Sequence, residues 1–207
     1  MLSFPAAQNQ QLRALKRLIL ASTSPYRRDL LTRLGLPFDV SAPRVDETRQ
    51  PGESPVDMAR RLAREKATAV AGGHPDALVI GSDQVACAGD AIFDKPGTVD
   101  RAAAQLRAMR GREIAFHTAV CVVESDSGKR HEHVETTLVG FRDYSDEEIA
   151  RYLAREPDAI HCAGAAKAEA LGTTLLDHIR GEDPSALIGL PLIAVSRALR
   201  AAGLTLP

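Results

Sequence analysis

Apolar residues recur along this chain in short runs, and the runs alternate between the two secondary-structure periods. Leu18-Ile19-Leu20-Ala21-Ser22 has the pattern of a short buried strand. It ends in Ser-Thr-Ser-Pro, which puts Ser24 at an N-cap and Pro25 at the first helical position. The helix that follows would turn Leu30, Leu31 and Leu34 inward and stop at Gly35, and 38–42 predicts a second strand. Ser54-Pro55 repeats the start signal; Val56, Ala59, Leu62 and Ala63 then share one helical face, and the helix should close near Gly72-Gly73. A strand over 77–80 and a hairpin turn at Ala88-Gly89-Asp90-Ala91 come next, then a helix over 99–109 closed by Gly111. Residues 113–124 form a long apolar strand that Asp126-Ser127-Gly128 turns into 130–141. Ser145 caps a helix through Ala154, and its acidic first turn suits the positive end of the helix. A last strand is expected over 173–179, and Pro191 opens a closing helix to about Ala202. Strands and helices interleave through both hairpins and crossovers, which predicts an α/β fold with a mixed twisted sheet and flanking helices.

One stretch disturbs this pattern. LVIGSDQVAC, residues 78–87, sets Asp83 in the middle of an otherwise apolar run. A carboxylate there must be paired, hydrated in a cleft or bound to a metal, because an unpaired buried charge is costly.

Bulk properties narrow the setting. The 207 residues suffice for one large core or for two lobes sharing a cleft. A net charge of −1 gives no global field for nucleic acid or an anionic membrane, so phosphate binding would need local basic groups. The three cysteines, Cys87, Cys121 and Cys162, are odd in number and contain no CxxC pair, so buried thiols in a reducing compartment are expected. Residues 1–17 have no long apolar run and read as a loose extension or short helix before a single domain over 18–207. No segment approaches the roughly 20 apolar residues of a membrane helix. The expectation is a cytoplasmic protein with no membrane or nucleic-acid partner.

Three constellations could carry chemistry. Ser22-Thr23-Ser24-Pro25-Tyr26-Arg27-Arg28 puts hydroxyls and arginines at a helix N-terminus, where free N–H groups favour anions. Asp46-Glu47 lies between Pro43 and Pro51, and Asp83 is flanked in sequence by Lys66 and Lys95. Taken singly these are a capped helix, two solvated loop acids and surface lysines. Taken together they describe a metal-assisted phosphate-transfer site, with hard oxygen ligands for a divalent cation and Lys and Arg for phosphoryl oxygens. GxxxxGK[ST], HExxH and GxSxG are all absent, which disfavours P-loop, zinc-protease and α/β-hydrolase chemistry.

From Leu18 to about Leu204 the chain resembles the Maf family of nucleotide pyrophosphatases, through LILASTSPYRRDLL, VDE, REKA, IGSDQV, KP, CAGAAKAE and GLPL in that order. The resemblance implies two lobes around a central cleft. It also implies cleavage of nucleoside triphosphates between the α and β phosphates with a divalent metal (Mg, Mn or Co), and it makes a homodimer plausible. Carried over by position, Asp83 would accept a proton from water and Glu47 would help it hold the metal. Arg27, Lys66 and Lys95 would grip the triphosphate, with Ser22 and Ser24 at the helix mouth.

Tyr26, Gln84 and Glu169 stand where subgroups differ, and they resemble the set that acts on 7-methyl-GTP. The physics suits that set: N7 methylation makes guanine a cation, which an aromatic face and a carboxylate both attract. Two other readings are a dTTP or UTP pyrophosphatase of the same family, which would carry Arg, Thr and Gln at these positions, and a non-catalytic binding regulator. Asp94, where Gly is common, is expected to add negative charge near the phosphates, and Ala170, where Gly is frequent, to alter the loop after Glu169.

Overall fold

The computed structural model describes residues 16–206. In chain order the elements are β1 (Arg17–Ala21), α1 (Pro25–Thr32), β2 (Asp39–Ser41), α2 (Pro55–Ala71), β3 (Ala77–Ala88), β4 (Ala91–Phe93) and α3 (Val99–Met109). They continue with β5 (Glu113–Glu124), β6 (Arg130–Phe141), α4 (Asp146–Arg155), β7 (Leu176–Arg180) and α5 (Leu192–Ala201). Ser24, Ser54, Thr98 and Ser145 cap α1 to α4 by accepting a backbone N–H three residues on, and Ser145 with Glu148 completes a capping box.

One seven-stranded mixed sheet, in the order β2-β1-β3-β5-β6-β7 with β4 added to β3, runs through the molecule. β1 pairs parallel with β2 and β3, and every other pairing is antiparallel. Alternation along the strands divides the core. Leu18, Leu20, Leu78, Ile80, Val120 and Val122 face α1 and α5, whereas Ile19, Val79, Ala119 and Cys121 face α2. Beyond Val85 a third cluster takes over: Ala86, Ile114, Phe116, Val139 and Phe141 pack with α3 and α4. The apolar packing therefore forms two lobes, joined by the long strands β3 and β5.

Two expectations need correction. β3 does not end at Ile80; it runs unbroken through Gly81-Ser82-Asp83-Gln84 to Ala88, because β5 pairs with it from Leu78↔Glu124 to Cys87↔Ala115. The last strand starts later than 173, since Leu171–Leu175 is a 3-10 turn and β7 begins at Leu176. The extension expected over 1–17 falls outside the described residues apart from its last two, which belong to the fold. Arg17 opens β1 and pairs with Asp39 at 2.6 Å, and Lys16 pairs with Glu124 and Asp126 at 3.1 Å each. All three thiols are free; Cys87 and Cys121 are buried and Cys162 only partly so. Among the described residues no helix is long and apolar enough to cross a membrane.

Candidate active site

Between the lobes lies a cleft of about 1170 Å³, and every site residue expected from the sequence lines it: Ser22, Ser24, Tyr26, Arg27, Glu47, Lys66, Asp83, Gln84, Lys95 and Glu169. Its floor is the middle of β3. Strand alternation puts Asp83 on the α2 side with Gly81, and Gly81 lets the helix come close: a Cβ there would stand 2.2 Å from the Ala63 carbonyl oxygen. Lys66 on α2 thereby reaches across, and its Nζ donates to Asp83 Oδ1 at 2.6 Å. The same ammonium lies 2.8 Å from Glu47 Oε1. Lys66 and Asp83 are both buried, so each charge stabilises the other where water cannot. Glu47 is more open. Desolvation pulls its carboxyl upward, but the hydrogen bond from Lys66 and the charges of Lys66, Lys95 and Arg27 outweigh this and hold it below the usual glutamate range.

The opposite wall begins at the mouth of α1. Ser22 Oγ accepts from the Ser24 N–H at 3.1 Å, and Ser24 Oγ accepts from the Arg27 N–H at 3.4 Å. Arg27 is partly buried at the cleft wall, and desolvation lowers its proton affinity against the opposing pull of Asp83 and Glu47. Its Nε donates to the Gly189 carbonyl at 2.8 Å, and that oxygen also accepts from buried Ser82 Oγ at 3.0 Å. Gly189 has a φ of 123°, a conformation that side chains other than hydrogen avoid. Gln84 fixes the same segment: its Nε2 donates to the carbonyls of Ala186 and Leu187 at 3.1 and 2.9 Å and to Thr118 Oγ1 at 3.0 Å. The amide nitrogen of Gln84 is thus committed to the protein.

At the far end, Tyr26 and Glu169 face the cleft with Cys162 between them; the Cys162 thiol lies 3.9 Å from the Tyr26 hydroxyl. Burial raises the proton affinity of both groups, so neither ionises at neutral pH. Lys95 follows exposed Asp94, whose carboxylate is turned toward Arg101 at 3.4 Å and Gln105 at 3.1 Å. Asp94 still lines the cleft, with its charge shared with Arg101 of α3. Sequence reasoning passed over Arg49, Asp158 and His161, which also line the cleft. His161-Cys162 reads as an isolated pair in sequence, and only the fact that Cys162 opens CAGAAKAE could have flagged it.

Two carboxylates meet at one ammonium, with a second lysine, an arginine and a helix mouth around the same cleft, an arrangement with the charges to hold a polyanion. The family model described as Maf-like protein matches residues 17–202, and the chain belongs to that family. A protein of Aromatoleum aromaticum called 7-methyl-GTP pyrophosphatase is 60% identical over 92% of this chain and 98% of its own length. One of the same description from Xanthomonas campestris pv. campestris is 54% identical over 93% of this chain and 100% of its own. A solved nucleoside-triphosphatase / dITP/XTP pyrophosphatase from Mycobacterium abscessus overlaps 61% of this chain and 73% of its own at 17% identity, with a TM-score of 0.41, too loose a likeness to place any residue.

Proposed function

We propose that this protein hydrolyses 7-methyl-GTP to 7-methyl-GMP and pyrophosphate, removing a modified nucleotide from the triphosphate pool. The observation that carries the chemistry is the shared ammonium of Lys66, which draws Asp83 and Glu47 to one point in the cleft. In this reading Asp83 takes the proton from the attacking water, held in place by the strand on which it sits and by Lys66. Arg27 and Lys95 offset the charge on the phosphate oxygens, and the free N–H groups at the mouth of α1 with Ser22 and Ser24 complete the anion site.

The donor set suits a hard divalent cation. Glu47 and Asp83 offer carboxylate oxygens that converge, and Mg²⁺ or Mn²⁺ commonly takes one or two protein carboxylates with waters and substrate phosphates. Among the described residues no group of three or more acidic, His or Cys side chains could enclose a metal; in this reading Glu47 and Asp83 would hold it together with substrate phosphates and waters. When bound, such an ion supplies positive charge against the phosphates.

Tyr26 and Glu169 support the choice of base, because a methylated guanine is a cation with donor groups on its pairing edge. The names of the Aromatoleum and Xanthomonas relatives point the same way. A cytoplasmic setting fits both the free thiols and the triphosphate pool.

Pyrophosphate release from 7-methyl-GTP, GTP, dTTP and UTP with Mg²⁺ or Mn²⁺ tests this reading. Selective cleavage of 7-methyl-GTP is expected, with Asp83→Asn lowering kcat by roughly 10²- to 10⁴-fold. Cleavage of dTTP and UTP instead would keep the chemistry and overturn the base assignment. Release from none of them would overturn both.

A further inference from the structure

The segment that brings Cys162 and Glu169 into the cleft is fastened by Tyr152 of α4 and by Glu156 just beyond that helix. Lys167 Nζ is 2.8 Å from Glu156 Oε1, and both side chains are largely buried. The same ammonium stands 5.7 Å from the centroid of the Tyr26 ring. One cation is thus held between an aromatic ring that lines the cleft and a carboxylate that does not. The Glu156 hydrogen bond keeps Lys167 protonated, raising it above the ordinary lysine range. The segment has little freedom to relocate, since a Cβ at Gly172 would lie 2.5 Å from the Lys167 carbonyl oxygen.

An uncompensated ammonium against the Tyr26 ring would repel a second cation brought to that ring. A carboxylate in contact with it turns the charge into a short dipole whose field falls off quickly. We propose that Glu156 and Lys167 are a specificity-determining pair, in which Lys167 holds the Tyr26 ring and Glu156 cancels its charge so that the ring accepts a positively charged base. This rests on the reading that a 7-methylguanine stacks at Tyr26. Neither residue lines the cleft, so both act on the choice of base through Tyr26, which does.

The test compares kcat/KM for 7-methyl-GTP and GTP, two substrates that differ at this ring by one methyl group and one positive charge. Glu156→Gln strands the ammonium and is expected to lower the ratio of the two roughly tenfold, through KM rather than kcat. Lys167→Gln leaves the carboxylate alone and is expected to raise the ratio. The double variant, which has neither charge, should return it toward the wild-type value. A purely structural role would depress both substrates alike in both single variants; that result, or an unmoved ratio, overturns the inference. Either single variant still decides the sign if the other does not fold. Wild-type enzyme with no preference for 7-methyl-GTP would instead sink the base assignment and this inference with it, an outcome visible before any variant is made.

Discussion

The hydroxyl of Tyr152 is used twice. It donates to the Ala165 carbonyl at 3.1 Å and accepts from the Lys167 N–H at 3.1 Å. Between and beside those contacts the chain takes two left-handed residues in succession, Gly164 at φ 68° and Ala165 at φ 55°. Alanine in that region carries strain of about 1 kcal/mol, so something must hold it. Burial lifts the Tyr152 phenol to about 12, and it stays protonated and able to donate at any working pH. Tyr152→Phe is expected to cost roughly 1–3 kcal/mol in urea unfolding, because it leaves a buried carbonyl and an N–H unpaired. Unchanged stability would mean that the Lys167–Glu156 pair fixes the segment unaided. These contacts were not legible in the sequence, where Tyr152 falls unremarked in the helix capped by Ser145 and Lys167 is one letter of CAGAAKAE. Ser24 was legible because a cap partners its own near neighbours. The burial of Lys66 was not, because Asp83 lies 17 residues away and only the fold brings the two together.

Helix starts and the tight hairpin were read from sequence because their causes are local: Ser-Pro at α1 and α2, Ser145 before an acidic turn, and the Ala88↔Ala91 pair closing β3 on β4. β3 was cut short for the converse reason. Gly81-Ser82-Asp83-Gln84 has poor intrinsic strand character, and β5 supplies the pairing that overrides it. The glycine that looked like a break is what lets helix and strand meet. At Gly81 a methyl group would strike the backbone of Ala63 and Ala67 at 2.2 and 2.5 Å, atoms that cannot step aside singly. Gly81→Ala should therefore destabilise the protein by about 3 kcal/mol or more, and should lower activity by lifting Lys66 off Asp83. Thermal unfolding and pyrophosphate release measured on the same sample check it. A stable, active variant would show that α2 can slide on the sheet.

At the scale of the molecule, the lobes formed by the described residues share their strands. β3 contributes Leu78 and Ile80 to one lobe and Ala86 to the other, and β5 contributes Val122 and Phe116 in the same way. Calorimetry is expected to show a single transition whose van't Hoff and calorimetric enthalpies agree; two resolved transitions would contradict a shared spine. The continuity of these two strands also bears on how a nucleotide is received. Jaws hinged on a linker can swing shut, and part of the binding energy is then consumed in the swing. Here the jaws are carved from one plank. The gap between them is spanned by strands that both lobes share, and its lining is pinned as well: Gln84 holds the carbonyls of Ala186 and Leu187, and Tyr152 holds the turn before Glu169. Selectivity in such a vise comes from how well a molecule matches a width already chosen, with little energy diverted to closing upon it.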